Sequence, residues 1–370
     1  MESGKRVLII SHTRAVSNFK IGSHHYANQL AKNGNDVTFV GTPYSFIHKI
    51  FGKKKQGIIQ TEEAIKVKEL KFLLPITMKR NIFVIIINKF LNLLFNAHNR
   101  RENYYDVVIC DYPFFEPYID IFKFKSLIYR PTDNYSSMAG DKVLEYERRL
   151  LEKANCTIAT SKEVAAELAL KNPIKDSIEV INNGYDDDVF FIDKDVVKNG
   201  AVYIGAIDYR FDIKAIECLA GAFVDDEFSI YGPIDAALKD EVGRLELKLK
   251  NLKFCGPISY KETAVKLRAA KVGLLPLNDS GANRGRSPMK LWEYAASGLN
   301  VLYRGVNLDY RSEVSFLYEY KNYNELLDSY LKARDSAFLE SQLVIVKNQS
   351  WKEKTKKMLT IINKNQSNIS

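Results

Sequence analysis

Cysteine is scarce in this chain: Cys110, Cys156, Cys218 and Cys255 are the only four in 370 residues, and no two form a C-x-x-C pair. Their spacing excludes a disulfide framework and a zinc site of ordinary ligand spacing, and predicts a reduced, cytoplasmic protein. No G-x-G-x-x-G follows a strand-like run, which argues against a nicotinamide enzyme. No D-x-D triplet stands at a strand end either. The acidic run Asp186-Asp187-Asp188 follows a turn and reads as solvated, so no catalytic metal is expected. Long apolar runs are also missing. The amino terminus offers only a short one around Val7 to Ile10, too short for a signal peptide. In residues 78–101 the longest is Ile82 to Ile87, too short to span a bilayer.

What is present is ordinary in bulk and uneven in place. Apolar residues make up 46% and charged residues 27%, a globular composition. The length predicts two domains of roughly 150–200 residues. Of a net charge of +9, residues 1–100 carry 16 basic against 5 acidic side chains, an excess larger than that of the whole chain. Such a local excess predicts an anionic partner: nucleic acid, a phosphorylated ligand or an acidic membrane surface. A solvated basic face is the plainer alternative.

Apolar runs and helical patterns alternate along the chain. Lys5 to Ser11 reads as a buried strand, HHYANQLAKNG as a helix stopped by Gly34, and DVTFVGTP as a second strand. YDVVICDYP (105–113), SLIYRPTD (126–133) and Cys156 to Thr160 continue the series up to a turn at Asn183-Gly184. The pattern then restarts with AVYIGAI, EFSIYGP, NLKFCGP, KVGLLPL and LNVLYRG. This grammar predicts two α/β domains, each a doubly wound Rossmann-like parallel sheet. The expected bounds are 1–192 and 193–345, with a closing helix over 346–370 that crosses back to the first domain. Open α/β sheets bind ligands beyond the carboxyl ends of their strands. Two such domains facing a central cleft would line it with His12, Asp111, Asp133, Gly205, Gly232 and Gly256.

One stretch is denser in chemistry than the rest: RGRSPMKLWEYAASG, residues 284–298. Ser287 is expected to cap a helix, with Pro288 at its first position and Gly298 at its left-handed stop. Free backbone N–H groups and the positive end of the helix dipole would make its start an anion site. Lys290 adds a cation there, and Glu293, three residues on, suits the vicinal hydroxyls of a ribose. A nucleoside diphosphate accounts for the arrangement; a capped surface helix with a Lys–Glu pair is the simpler alternative.

The stretch Ser287-Pro288-Met289-Lys290-Leu291-Trp292-Glu293-Tyr294-Ala295-Ala296-Ser297-Gly298 resembles the S-P-x-K-x-x-E-Y-x-A-x-G segment of bacterial GT-B glycosyltransferases, in particular the xanthan-type glucuronosyltransferases and related exopolysaccharide enzymes. Ile204-Gly205, Arg210-Phe211-Asp212, Tyr231-Gly232-Pro233, Asn183-Gly184-Tyr185-Asp186 and Ala159-Thr160-Ser161 agree in order. The resemblance covers most of the chain and is thinner before residue 100. It implies a sugar nucleotide, usually UDP-linked, held by the second domain. Ser287, Met289 and Lys290 would contact phosphates and sugar, Glu293 would bind ribose, and Gly205, Arg210, Gly232, Gly256 and Pro288 would complete the donor site. Retaining relatives with an E-x7-E pattern carry a glutamate where this chain has Gly285, which favours an inverting transfer.

An inverting transfer needs a base for the acceptor hydroxyl and positive charge for the departing diphosphate. Lys290, the helix start and Arg210 serve the second need. Asp133 is the expected base, as in the xanthan-type relatives an aspartate in a comparable amino-domain loop takes that role. Asp111 is the alternative, and either could merely cap its loop. Asp111 and His12 are expected acceptor contacts; His24 and His25 read as helix-start residues.

MKRNIFVIIINKFLNLLFNAHNRR, residues 78–101, places Asn88, Asn92 and Asn96 every four residues, a narrow polar stripe beside a broad apolar face. Lys79, Arg80, Arg100 and Arg101 bracket it, and Lys49 and the lysines at 53–55 add charge. That is the build of a helix lying in an anionic membrane interface, although a helix packed under the first sheet would also fit. The expected protein is a cytoplasmic, peripheral glycosyltransferase that needs no cofactor and acts on a lipid-linked glycan. A GT-B-fold sugar-nucleotide epimerase is the rival enzyme. A nucleic-acid binder is disfavoured, because the aromatics are not interleaved with the lysines and no recognition motif is present.

Overall fold

In the computed structural model the apolar runs VLII, VTFV, VVIC and LIY become the buried strands of one sheet. The structure describes residues 4–51, 57–96, 104–171, 178–283, 285–306, 308 and 310–367. It divides into two units, Met1–Asn182 with Lys354–Ser370, and Asn183–Glu353.

In the first unit the strands are β1 (Arg6–Ile10), β2 (Val16–Ser17), β3 (Asp36–Val40), β4 (Ile58–Ile59), β5 (Lys66–Val67), β6 (Tyr104–Cys110), β7 (Lys123–Tyr129), β8 (Cys156–Ala159) and β9 (Glu179–Val180). Seven of them form a sheet in the order β5-β3-β1-β6-β7-β8-β9, every pair parallel. Helices cover parallel sheets on both faces, so the central strands are apolar throughout rather than alternating. Leu8, Val108, Leu127 and Ala159 sit fully buried in one cluster on this sheet. β2 and β4 pair antiparallel, outside the main sheet.

The second unit holds β10 (Ala201–Ile204), β11 (Phe228–Tyr231), β12 (Leu252–Gly256), β13 (Val272–Pro276), β14 (Asn300–Arg304) and β15 (Leu317–Glu319). Their order is β12-β11-β10-β13-β14-β15, again all parallel. Strand order reverses between β10 and β13, the switch point beside which such sheets bind ligands. β5, β9 and β15 have no counterpart in the sequence reading, because runs of two or three residues are too short to show a period.

Two glycines carry the loops at these strand ends. Gly232 has φ of 146°, and a Cβ there would lie 1.8 Å from the Gly205 carbonyl oxygen. Gly232 therefore lets the loops after β10 and β11 meet. Gly298 (φ 76°) ends the Met289–Ala296 helix in the left-handed region that the sequence calls for.

Candidate functional site

In the second unit the motif helix runs Met289–Ala296, with Pro288 at the N-cap and no side chain bonded to the open amides. This corrects the expectation for Ser287. Its hydroxyl accepts a hydrogen bond from the Asn183 backbone N–H at 2.9 Å, and the Asn183 side-chain amide donates to the Ser287 carbonyl at 2.9 Å. Pro288 is extended (ψ 116°), so Ser287 sits one residue too early to reach the helix. The serine pins the motif loop to the Asn183-Gly184 turn instead, and the first-turn N–H groups lack a side-chain cap, which leaves them available to an anion.

Lys290 Nζ donates to Glu293 Oε2 at 2.8 Å, with Glu293 1% exposed and Lys290 26% exposed. The pair expected as the simpler alternative is thus made. Its cation is on the accessible side and its carboxylate is beneath. The Tyr260 hydroxyl is pushed well above its ordinary range by burial, reinforced by the charges of Glu293 and Asp186. Asp186 is itself buried, whereas Asp187 is half-buried and Asp188 exposed, so the reading of the acidic run as solvated is corrected at its first residue.

Arg210, on the loop after β10, is clamped by Asp208 through Nε at 3.0 Å and Nη2 at 2.5 Å. Burial pushes the Asp208 carboxyl up, but bonds from Arg210 and the charges of Arg210 and Arg286 outweigh it and hold the group below its usual range. The Arg210 carbonyl accepts from the Asn278 N–H at 2.9 Å, which joins this loop to the one after β13. Arg286 was absent from the sequence-derived site. Its charge is felt at Asp208 and at Tyr203, and its place directly before Ser-Pro was the available signal. Gly205 and Gly256 close β10 and β12, and a Cβ at Gly205 would meet the Tyr203 hydroxyl at 2.5 Å, so a larger residue there would have to push that ring aside.

The first unit gathers His12, Asp111, Arg130 and Asp133 beyond the ends of β1, β6 and β7. Asp111 is 1% exposed and Arg130 0%. Asp111 Oδ2 accepts from Ser23 Oγ at 2.5 Å and from Arg130 Nη1 at 3.2 Å. Ser11 Oγ donates to Ser23 Oγ at 3.0 Å, and the Arg130 guanidinium lies 4.7 Å from the centre of the Tyr26 ring. Burial raises the Asp111 carboxyl, against the pull of Arg130 and Ser23. Asp111 therefore behaves as a buried anchor.

Asp133 is placed differently. Asn134 caps the following Tyr135–Ala139 helix by accepting from the Ser137 N–H at 3.1 Å. Asp133 is freed from that duty, is half-buried, and makes no hydrogen bond or ion pair among the described residues. His12 Nδ1 is buried without a partner. Burial lowers the His12 pKa, opposed first by the charge of Asp133 and then by that of Asp111. His24 is structural: its Nδ1 accepts from the Ile21 N–H at 3.1 Å, its Nε2 donates to the Arg14 carbonyl at 2.8 Å, and burial holds its pKa at about 4.

The apolar basic segment forms the helix Ile82–Asn96. Its asparagine stripe faces inward: Asn88 and Asn92 are 0% exposed. Asn88 Oδ1 accepts from the Leu73 and Leu74 N–H groups, at 3.0 and 3.1 Å, and its amide donates to the Leu74 carbonyl. Asn92 bonds both backbone groups of Lys71. The apolar face is left outside, with Phe83 75% exposed and Ile82, Ile86, Phe90, Leu93 and Leu94 near 60%. The short helix Phe46–Ile50 docks on the same 71–74 segment through the Phe46 N–H to the Phe72 carbonyl, 2.8 Å, and leaves Phe46, Ile50 and Phe51 exposed. The side chain of Asn96, the lysines at 53–55, Arg100 and Arg101 lie outside the described residues. No helix among the described residues is long and apolar enough to cross a membrane.

Residues 9–158 match the family model described as the N-terminal domain of the glucuronosyltransferase GumK. TuaH of Bacillus subtilis (strain 168), whose provisional name is teichuronic acid biosynthesis glycosyltransferase, is 25% identical over 224 residues. That alignment takes in 55% of this chain and 56% of TuaH, so the chain matches about half the length of this curated relative. Among solved structures, sucrose-phosphate synthase from Thermosynechococcus elongatus superposes with a TM-score of 0.70 at 17% identity, over 97% of this chain and 98% of that one. Anabaena HepE, solved with UDP and glucose, superposes with a TM-score of 0.66 at 13% identity, over 97% and 100%. These likenesses give the fold: two parallel α/β sheets of GT-B type.

Proposed function

We propose that this chain, a bacterial GT-B glycosyltransferase related to GumK, moves a sugar from a UDP-linked donor to a lipid-linked glycan during surface polysaccharide assembly, with inversion at the transferred carbon. The observation that carries the donor assignment is the start of the Met289–Ala296 helix, whose amides lack a side-chain cap beside a half-exposed Lys290 and a buried Glu293. Diphosphate meets the amides and Lys290, with Arg210 and Arg286 as further cations, and ribose meets Glu293. HepE, of the same fold, was solved with UDP.

The acceptor falls to the first unit. Its hydroxyl oxygen attacks the sugar carbon, Asp133 takes the proton, and the diphosphate leaves with the bonding pair, its charge met by Lys290 and the helix start. In this reading His12, whose Nδ1 is buried without a partner among the described residues, bonds a hydroxyl of the acceptor. The exposed faces of the Ile82–Asn96 and Phe46–Ile50 helices, flanked by Lys49 and Lys79, rest on an anionic bilayer at the inner face of the cell membrane. That position brings the enzyme to a lipid-linked acceptor. The relatives named above lend no support to an epimerase or to a nucleic-acid binder.

The experiment is a transfer assay with UDP-sugars and membrane-extracted acceptor. Asp133→Asn keeps the shape and removes the proton acceptor, so transfer should fall by about 10²–10⁴-fold with UDP affinity unchanged. Asp111→Asn is the contrast: removing one partner of a buried ion pair costs roughly 3–5 kcal/mol, so its loss should appear as a lower melting temperature. Full transfer by Asp133→Asn would remove it as the base.

A further inference from the structure

The second unit contains a cavity of about 550 Å³ that shares no residue with the nucleotide site. It opens past the carboxyl ends of β14 and β15, between Asp279, Arg304, Arg311, Glu319, Tyr320 and Lys321. Its volume lies within the range of small-molecule sites, roughly 300–1,000 Å³.

The walls are built of paired groups with spare capacity. Arg304 Nη1 donates to the buried Asp212 at 3.1 Å, and that bond aims the guanidinium. Its Nη2 meets Asp279, whose side chain is 76% exposed. Asp279 is the exposed partner while Arg304 is 16% exposed, so a ligand carboxylate displaces Asp279 by taking over its bond to Nη2. Arg311, 52% exposed, pairs with Glu319 across the opening. Lys321 is a third, exposed cation, against two acidic groups among the described residues of the lining.

Tyr320 is 0% exposed behind this wall, its ring 6.0 Å from the Arg304 guanidinium, and so backs that side chain from the core. The chemistry of the accessible set is guanidinium forks for a carboxylate, carboxylates for hydroxyls and, among the described residues, three cations against two acids. A bare phosphate would fill little of the volume and would offer the two carboxylates no hydroxyl to bond.

We infer that this cavity is a second saccharide site, which holds a carboxylate-bearing sugar unit of a glycan apart from the nucleotide site. Its binding chemistry does not depend on the assignment of the donor. The test titrates the full chain, saturated with UDP, with a glucuronic-acid-containing disaccharide, with maltose and with inorganic phosphate, read by calorimetry. The acidic disaccharide should bind in the presence of UDP and more tightly than maltose. Arg311→Ala should weaken it by about tenfold or more, through loss of a bidentate carboxylate partner. Lys321→Ala, which removes an exposed cation of the lining, should weaken it by about threefold with no fall in melting temperature. Affinity unchanged in both variants, competition with UDP, equal binding of maltose, or displacement by equimolar phosphate would each overturn the assignment. A chain that fails to bind UDP yet binds the disaccharide through these residues would refute the donor reading and leave this one standing.

Discussion

Replacing Ile86 and Leu93 together by serine tests the membrane-facing helix most directly. The two side chains are 58% and 62% exposed, so neither supports the core of the first unit. Burying an Ile or Leu side chain fully is worth about 1.5–3 kcal/mol, and the exposed fraction of the pair represents roughly 2–3.5 kcal/mol of insertion energy. At 1.4 kcal/mol per tenfold, membrane affinity should fall roughly 30- to 300-fold. Sedimentation with vesicles containing anionic phosphatidylglycerol measures this, and thermal unfolding provides the control. Asn92→Leu is the mirror-image change. It should leave binding intact but strand both backbone groups of Lys71, at about 1–3 kcal/mol for each unmet group. Undiminished sedimentation of the double serine variant would refute the reasoning, and so would a large drop in its melting temperature, which would mean that the face is packed.

Three further outcomes follow from the proposed nucleotide site and from one buried acid. Lys290→Ala should lower kcat by about 10²-fold or more in the transfer assay, through loss of a cation on the leaving diphosphate. Glu293→Gln should weaken UDP binding by about 1–3 kcal/mol in calorimetry. Equal affinity would reduce the glutamate to a structural partner of Lys290. Glu147, which accepts from the Tyr129 hydroxyl, is raised by burial to about 7. A folded-state pKa above the unfolded one gives stability that is present below pH 4.5 and lost as pH rises through 7. Urea unfolding of wild type should therefore lose roughly 3 kcal/mol between pH 4.5 and pH 8 relative to Glu147→Gln.

Most of the central sheet in each unit was legible in the sequence, for a physical reason. Strands buried on both faces must be apolar along their whole length, so VLII, VVIC and GLLP announce themselves without a partner. Edge strands are held by what lies beside them. Lys66–Val67 and Leu317–Glu319 are strands because β3 and β14 offer them open backbone groups, and no property of their own residues says so. The glycines at 232 and 298 were visible as residues, but the reason that each must be glycine emerges only from a carbonyl or a helix end in three dimensions.

The asparagine stripe shows where a one-dimensional reading of amphipathicity fails. Polar residues every four positions normally mark the wet side of a helix. Asn88 and Asn92 instead meet the irregular segment 71–74, whose N–H and C=O groups have no partner strand there and are bonded by the two amides. A polar stripe buried in this way obliges the apolar residues to face outward. The same accounting separates the two aspartates that the sequence placed alike after β6 and β7. Asp111 is held through Oδ2 by Ser23 and Arg130, while its Oδ1 is buried without a partner among the described residues. Asp133 is left unbonded because its neighbour Asn134 already caps the next helix. A group can take a proton only from a donor that reaches it: Asp111 is 1% exposed and held in an ion pair, whereas Asp133 is half-buried and unbonded, and that difference in surroundings, not in identity, is what supports Asp133.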